Sequence, residues 1–575
     1  MTSRSTRRWM FRLTALLLGF VLMAAACSGS DDTGGSDDAT GGTSANGEAS
    51  ADPDDGAEPQ RGGSITFARE AETSSPWTPS SMICDVACHQ AIKGIYDTLT
   101  WPDADGEVHG MLLESFEPNA DFTEWTLTPR TGIEFHDGTP WNVDALDTHF
   151  STMRDSVLVG NVFADITDQQ IQGDSLVLTM ARPWTHFPLF LAGQPGYVAS
   201  PTWLAAVADG SASETEPVGT GPFVFAEYNP GDNFRMTANP NYWLEAPDGE
   251  PYPYLDEINF LVQAENQTRD NAIISGEIDI THMDSGDSIE RLRQAAEDGT
   301  INIFEIDQRQ ETGYVLINVG DPDTAVSDVR IRQAMALSFD HTLENQSRNA
   351  GIFEIANGPF SPGSIGYLDD TGFPTELDVD AASALVDEYE ADCSCEAEVA
   401  YKTTTDPFNL QTAELYKGFW EAAGMTVTLD QIEQGEFITQ ALLGNFEAFG
   451  WRNHGGFDPD TQEVWWTSNN AAPFGEIGLN FGRIDDPVID ENLNTIRTSQ
   501  DPAERQEAAE NINRQFGEQV YDIWTNWVIW AIPYQDRVHG VQTPVIMPDG
   551  DPSTVTGIGF TGAINLQQLW VDDAA

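Results

Sequence analysis

Lysine is nearly absent from this chain: Lys93, Lys402 and Lys417 are the only three in 575 residues. Arginine does not make up the deficit. Lys and Arg together number 26 against 93 Asp and Glu, a net charge of −67. A chain so short of cations cannot neutralise phosphates, which excludes nucleic acid as a partner. It is also repelled by anionic membrane surfaces, so attachment to a bilayer has to come from something other than charge. Charged residues are only 21% of the total, so the imbalance is one of sign. Such a coat fits high salt, where self-repulsion is screened, and equally fits an acidic composition shared across a lineage.

Long apolar runs are missing as well. The block 13–26 is about 14 residues, short of the ~20 that a permanent membrane-spanning helix needs, and no later segment approaches it. There is no Gly-x-Ser-x-Gly, no His-Glu-x-x-His and no glycine-rich nucleotide loop. No catalytic residue is therefore assigned, and neither a metal nor a cofactor is expected. Paired carboxylates carry no information in so acidic a chain, so they neither indicate nor exclude a glycosidase. Cysteine is scarce, with five residues: Cys27, Cys84, Cys88, Cys393 and Cys395. Setting Cys27 aside leaves an even number, which in an oxidising compartment favours disulfides. Three connectivities are open; the local pairs Cys84–Cys88 and Cys393–Cys395 are preferred. A zinc site built on Cys84, Cys88 and His89 lacks a matching fourth ligand.

What is present begins with export. Arg4, Arg7, Arg8 and Arg12 precede the apolar block, and Ala24-Ala25-Ala26 close it. A basic start, a short apolar run and small residues before a cut site make a secretory signal. The small residues followed by Cys27 resemble a bacterial lipobox. That resemblance implies a signal over 1–27, lipidation of Cys27, and a body held outside the cell membrane. Residues 28–60 are almost all Gly, Ser, Thr, Ala and Asp, including nine acids. They read as a disordered acidic tether with an r.m.s. span of roughly 30 Å.

The remaining ~515 residues are too many for one core, so two or three domains are expected. Ile65 and Phe67 alternate as in a strand, and Ile92, Ile95 and Leu99 predict a helix over 87–99. Further strands are predicted around Trp125–Leu127, Ile133–Phe135, Phe223–Phe225, 258–262 and 425–429. Ser327 is the expected N-cap of a helix reaching Phe339, and 381–389, 410–423 and 502–515 read as helices. The mixture is α/β with long excursions between strands.

Several short motifs follow in order: Ile95-Tyr96-Asp97-Thr98-Leu99, Asp103-Ala104-Asp105-Gly106-Glu107, Leu113-Glu114-Ser115-Phe116 and Gly132-Ile133-Glu134-Phe135-His136-Asp137-Gly138-Thr139-Pro140. Then come Val218-Gly219-Thr220-Gly221-Pro222-Phe223, Asn239-Pro240-Asn241-Tyr242-Trp243 and Val329-Arg330-Ile331-Arg332-Gln333-Ala334. Taken alone, His136 reads as a turn residue, Asp103–Gly106 as a hairpin turn and not half a calcium loop, and Gly219–Pro222 as a bend before a strand. Together, over nearly all of 62–570, they resemble the family 5 extracellular solute-binding proteins of ABC importers, the dipeptide, oligopeptide and nickel-binding group.

The resemblance implies a two-lobed periplasmic-binding-protein type II fold with an extra inserted subdomain. Lobe I would comprise 61–100, 215–305 and 536–575, the inserted subdomain 101–214, and lobe II 306–535. A peptide or another small solute would be trapped between hinged lobes and passed, by a monomeric receptor, to ABC permease subunits. In peptide-binding relatives an aspartate in a Trp-x-x-Asp loop pairs with the peptide's amino terminus. Here Trp451 and Asp458-Pro459 match, but Asn453-His454 stand at the aspartate's place. Candidate ligand contacts are Trp451, Asn453, His454, Trp465 and Trp466, together with Ser74, Ser75 and Trp77 in the loop 70–79. The loop 357–360 is a weaker candidate. Readings from other classes are a secreted hydrolase of a surface polymer and a peptide-sensing or chaperone-like surface lipoprotein.

Overall fold

The computed structural model describes residues 58–72, 77–103, 105–405, 407–453, 456, 458–553 and 562–572. The signal, Cys27, nearly all of the tether, Ser74, Ser75 and His454 lie outside these residues. Among the described residues eleven strands join in one mixed sheet. Its spine is two long antiparallel strands, Asn302–Ile317 and Asp522–Tyr534, paired from Asn302↔Tyr534 to Leu316↔Asp522. The second, DIWTNWVIWAIPY, is apolar along most of its length and almost wholly buried. That is the pattern of a strand covered on both faces. At one end Ile532 and Tyr534 join a core with Ile65, Phe67 and Phe260. At the other, Trp524 and Trp527 join a core with Tyr314, Trp420 and Phe516. The pair therefore threads two cores, and its register shifts between Ile306 and Glu311.

Beyond this spine, Ser64–Arg69 pairs parallel with Glu257–Val262, and Glu398–Thr404 pairs parallel with Thr426–Ile432. A separate antiparallel sheet runs Leu113–Pro118, Glu124–Pro129, Ser175–Met180, Ile166–Gln172. With the helix Val143–Arg154 it encloses a third core around Trp125, Phe150 and Trp184.

Part of the acidic excess caps helices. Asp85, Asp340, Asp378, Asp486 and Asp501 are N-caps whose carboxylates accept backbone N–H groups. Each satisfies an orphan donor and faces the positive end of the helix dipole. The same preference corrects one expected boundary: Asp328, not Ser327, caps Val329–Leu337 by accepting from Arg330 N. Ser327 closes a short turn before it, and Phe339 lies past the helix end. The helix predicted over 87–99 is Val86–Ile92 and stops earlier. A Cβ on Gly94 would lie 2.5 Å from the Met236 side chain, and the chain turns there with Ile95 and Leu99 still buried. The predicted strand at 133–135 amounts to one bridge, Glu134↔Pro140.

The motifs converge on Asp97. Its buried carboxylate accepts from Thr220 Oγ1, Tyr242 Oη and Trp243 Nε1, each at 2.9 Å. Burial raises its pKa, against those three hydrogen bonds. Gly219 and Gly221 are required by close approach: a Cβ on Gly219 would sit 2.1 Å from Ile95 O. His136 locks the same bend. Its Nδ1 accepts from Gly219 N at 3.3 Å and its Nε2 faces Gly221 O at 3.0 Å. Burial lowers its pKa to about 4, so the ring is neutral and structural. Asp103 accepts from the N–H groups of Asp105 and Glu107 in the hairpin joining Thr100–Pro102 to Val108–Gly110. The cysteines pair locally, Cys84–Cys88 and Cys393–Cys395, with Cα atoms 5.1 and 5.2 Å apart. His89 Nδ1 meets Tyr197 Oη at 3.1 Å.

Candidate functional site

A cavity of about 1410 Å³ opens between the walls built on the two cores. One wall carries Glu70, Glu72, Val86, Asp284 and Arg291; the facing wall carries Tyr314, Tyr401, Phe437 and Phe481. Leu158, Val162 and Phe190, from the segment around the four-stranded sheet, close a third side.

The strand Ala448–Asn453 pairs with Asn302–Ile317, which sets Trp451 opposite Tyr314 and Asn453 opposite Thr312. Trp451 is half-buried and stacks on Phe437 at 5.6 Å and 18°. Trp465 and Trp466 lie on the short helix Glu463–Trp466. Trp451, Asn453, Trp465 and Trp466 all line the cavity. Trp77 does not. It is fully buried against Phe234 and Tyr228, at ring distances of 5.0 and 5.6 Å, beneath Arg69. An indole enclosed in the core has no face left for a solute. Asn357 likewise lies away from the cavity, lining a separate hollow beside Trp527.

The polar groups on the cavity wall are mostly paired. Arg452 is held between Asp284 and Glu311, the latter at 3.4 Å. Burial lowers its pKa, but the two carboxylates outweigh that and raise it overall. Arg348 meets Glu344 Oε1 at 3.4 Å and Tyr416 Oη at 3.2 Å. Burial raises the pKa of Glu344 despite Arg348. Glu70 meets His282 Nε2 at 2.5 Å; burial raises its pKa, yet His282 and Arg269 hold it at about 2. Asp522 has one oxygen without a hydrogen-bond partner among the described residues, and burial pushes its pKa well up. Lys402 reaches Gln440 at 3.4 Å. The wall thus offers aromatic faces and charged groups of both signs, most of the latter already paired.

Sequence reasoning found the tryptophans because they flank a recognisable Asp-Pro. It passed over Arg348, Lys402 and Asp522, which stand in no motif, and Arg452, which lies inside the loop that begins at Trp451. The scarcity of lysine was a usable signal for Lys402.

A family model described as bacterial extracellular solute-binding proteins, family 5 Middle, matches residues 107–475. Di/tripeptide-binding protein 2 of Pseudomonas aeruginosa is 25% identical over 437 residues, covering 71% of this chain and 79% of that protein. Among solved structures, DppA from Helicobacter pylori in complex with the peptide STSA superposes with a TM-score of 0.76 at 19% identity, covering 89% of this chain and 99% of that one. AppA from Bacillus subtilis, in complex with a nonapeptide, gives 0.74 at 17% identity, covering 90% and 100%. The fold is the two-lobed periplasmic-binding-protein type II fold, and the chain belongs to the bacterial extracellular solute-binding proteins of family 5.

Proposed function

We propose that this protein is the receptor of an ABC importer, capturing peptides of several residues in the cavity and handing them to a membrane permease. The observation that carries this reading is the cavity itself. At about 1410 Å³ it exceeds the roughly 300–1,000 Å³ of ordinary small-molecule sites, so it suits an extended chain better than a single dipeptide. Relatives named for di- and tripeptides, and fold neighbours holding a tetrapeptide and a nonapeptide, agree with it. Lobe I is taken as 61–100, 215–305 and 536–575, lobe II as 306–535, and 101–214 as the inserted subdomain. Three separate cores support a division into three parts, with Tyr197, Trp203, Ile532 and Tyr534 packing across those boundaries into the core of Ile65 and Phe67. Trp451, Asn453, Trp465 and Trp466 are the contacts we assign. Ser74 and Ser75 follow Glu72, and His454 follows Asn453, next to cavity-lining residues, so they complete the candidate set. Lipidation at Cys27 would hold a monomeric receptor at the outer face of the membrane, with 28–60 as its leash.

Native mass spectrometry of the purified full chain, with thermal-shift screening of defined peptide pools, tests the proposal. Bound peptide and a concentration-dependent rise in Tm are expected, since binding stabilises only the folded state. Hydrolysis of the peptides by pure protein, or a response only to non-peptide solutes, would overturn it.

A further inference from the structure

We propose that the inserted subdomain is a working part of the closing mechanism, latched onto lobe II by a buried seam of charge. The proposal rests on the receptor reading, in which the cleft opens and closes. The seam joins the segment 165–185 to 458–505. Arg182 donates to Asp165 at 3.0 Å, to Asn494 at 2.8 Å, and to Glu463. Trp184, fully buried, donates from Nε1 to Asp460 at 2.8 Å. The Arg497 guanidinium carbon lies 4.1 Å from the centre of the Trp184 ring. It reaches Asp460 at 2.9 Å, Glu463 at 2.8 Å and, back across the seam, Asp165 at 2.9 Å. Thr185 N and Oγ1 both donate to Arg497 O, at 3.0 and 2.9 Å.

Two features make this seam more than ordinary domain packing. First, it bridges two walls of the cavity. Phe190, on the subdomain side, lines the cavity and lies 5.3 Å beneath Arg497. Glu463, on the lobe II side, is the first residue of the helix that carries Trp465 and Trp466. Gripping Glu463 therefore fixes where those two indoles stand. Second, the seam is made of charge-assisted hydrogen bonds, which are strong when desolvated and are replaced by water when the surfaces part. Parting it exposes guanidiniums and carboxylates that water solvates well, together with the Trp184 and Phe190 rings that Arg497 covers. Arg182, Trp184 and Arg497 are thus positioning residues for the tryptophan wall.

The test is the distance between subdomain and lobe II, with no ligand present. Spin labels go on the full chain with Cys27→Ser, at Ile171→Cys and Phe474→Cys, both exposed positions on the two sides of the seam. Trp184→Phe keeps an aromatic ring at the site, though a smaller one, and removes the indole N–H with its charge-assisted hydrogen bond to Asp460. Loss of such a bond shifts an open–closed equilibrium by about tenfold to a hundredfold. Arg182→Gln, at a half-buried site, is the second variant if Trp184→Phe fails to fold. Each is expected to move population from the short distance to a longer one while circular dichroism stays unchanged. A distance distribution identical to the parent's in both variants would overturn the latch. Because the readout needs no solute, that failure would leave the receptor reading standing. Absence of any peptide ligand would, conversely, leave the distance result untouched.

Discussion

Two buried acidic centres in this protein are built in opposite ways. Asp97 is surrounded by neutral donors: a threonine, a tyrosine and a tryptophan, with no cation in reach of its hydrogen bonds. The acids of the seam, Asp165, Asp460 and Glu463, are instead threaded between Arg182 and Arg497. The first knits together motifs around lobe I and has no reason to open. The second joins parts that the receptor mechanism requires to separate. A carboxylate satisfied only by neutral donors makes a fixed joint, whereas ion pairs between solvatable groups make one that can be undone.

The largest effect that would break this contrast lies at Asp97. Asp97→Ala leaves three buried donors unpaired, and a loss of about 3–5 kcal/mol in urea unfolding is expected. A loss below 1 kcal/mol would mean that Asp97 is not the joint described. Next comes Glu463, where three carboxylates face two guanidiniums and one negative charge is in excess. Burial, together with Asp460, raises its pKa from 4.5 to about 6 against the pull of Arg497 and Arg182. A raised acid favours the protonated folded state. Its stabilising contribution is therefore complete below pH 4.5 and is lost as pH rises through about 6. The gap corresponds to about 2 kcal/mol at pH 7 and above. Glu463→Gln should thus raise Tm relative to wild type at pH 7.5 and leave it unchanged near pH 4; the reverse ordering would contradict the charge count. Trp243→Phe removes one of the three donors at Asp97 and should cost about 1 kcal/mol by denaturant unfolding. Smallest is Lys417→Ala, which breaks the exposed pair with Glu421 at 3.6 Å and should change stability by less than about 0.5 kcal/mol.

The contrast also marks how far the sequence could be read. The Asp97 joint was legible as an ordered set of motifs, although its geometry was not: glycines at 219 and 221 look like bend residues until Ile95 O is placed against them. The seam was not legible. Its partners are 276 to 332 residues apart, and among 93 acids nothing distinguishes Asp460 or Glu463. Trp77 shows the same limit, since an indole after a cleft loop serves packing and binding equally well until its neighbours are known. Local signals fared better where the competing physics was also local. The helix starting after Asp328 was misplaced by one capping residue because serine and aspartate cap equally well.

Fluorescence or calorimetric titration of the full chain with a pool of four- to nine-residue peptides, comparing wild type with Trp451→Ala, tests the central claim most directly. Trp451 is half-buried on the cavity wall, so its loss should leave the fold intact and weaken binding by about tenfold or more. Saturable binding in wild type that weakens in Trp451→Ala, at unchanged circular dichroism, is the predicted result. Equal affinity in the two proteins, or no binding of any peptide by wild type, would contradict the account.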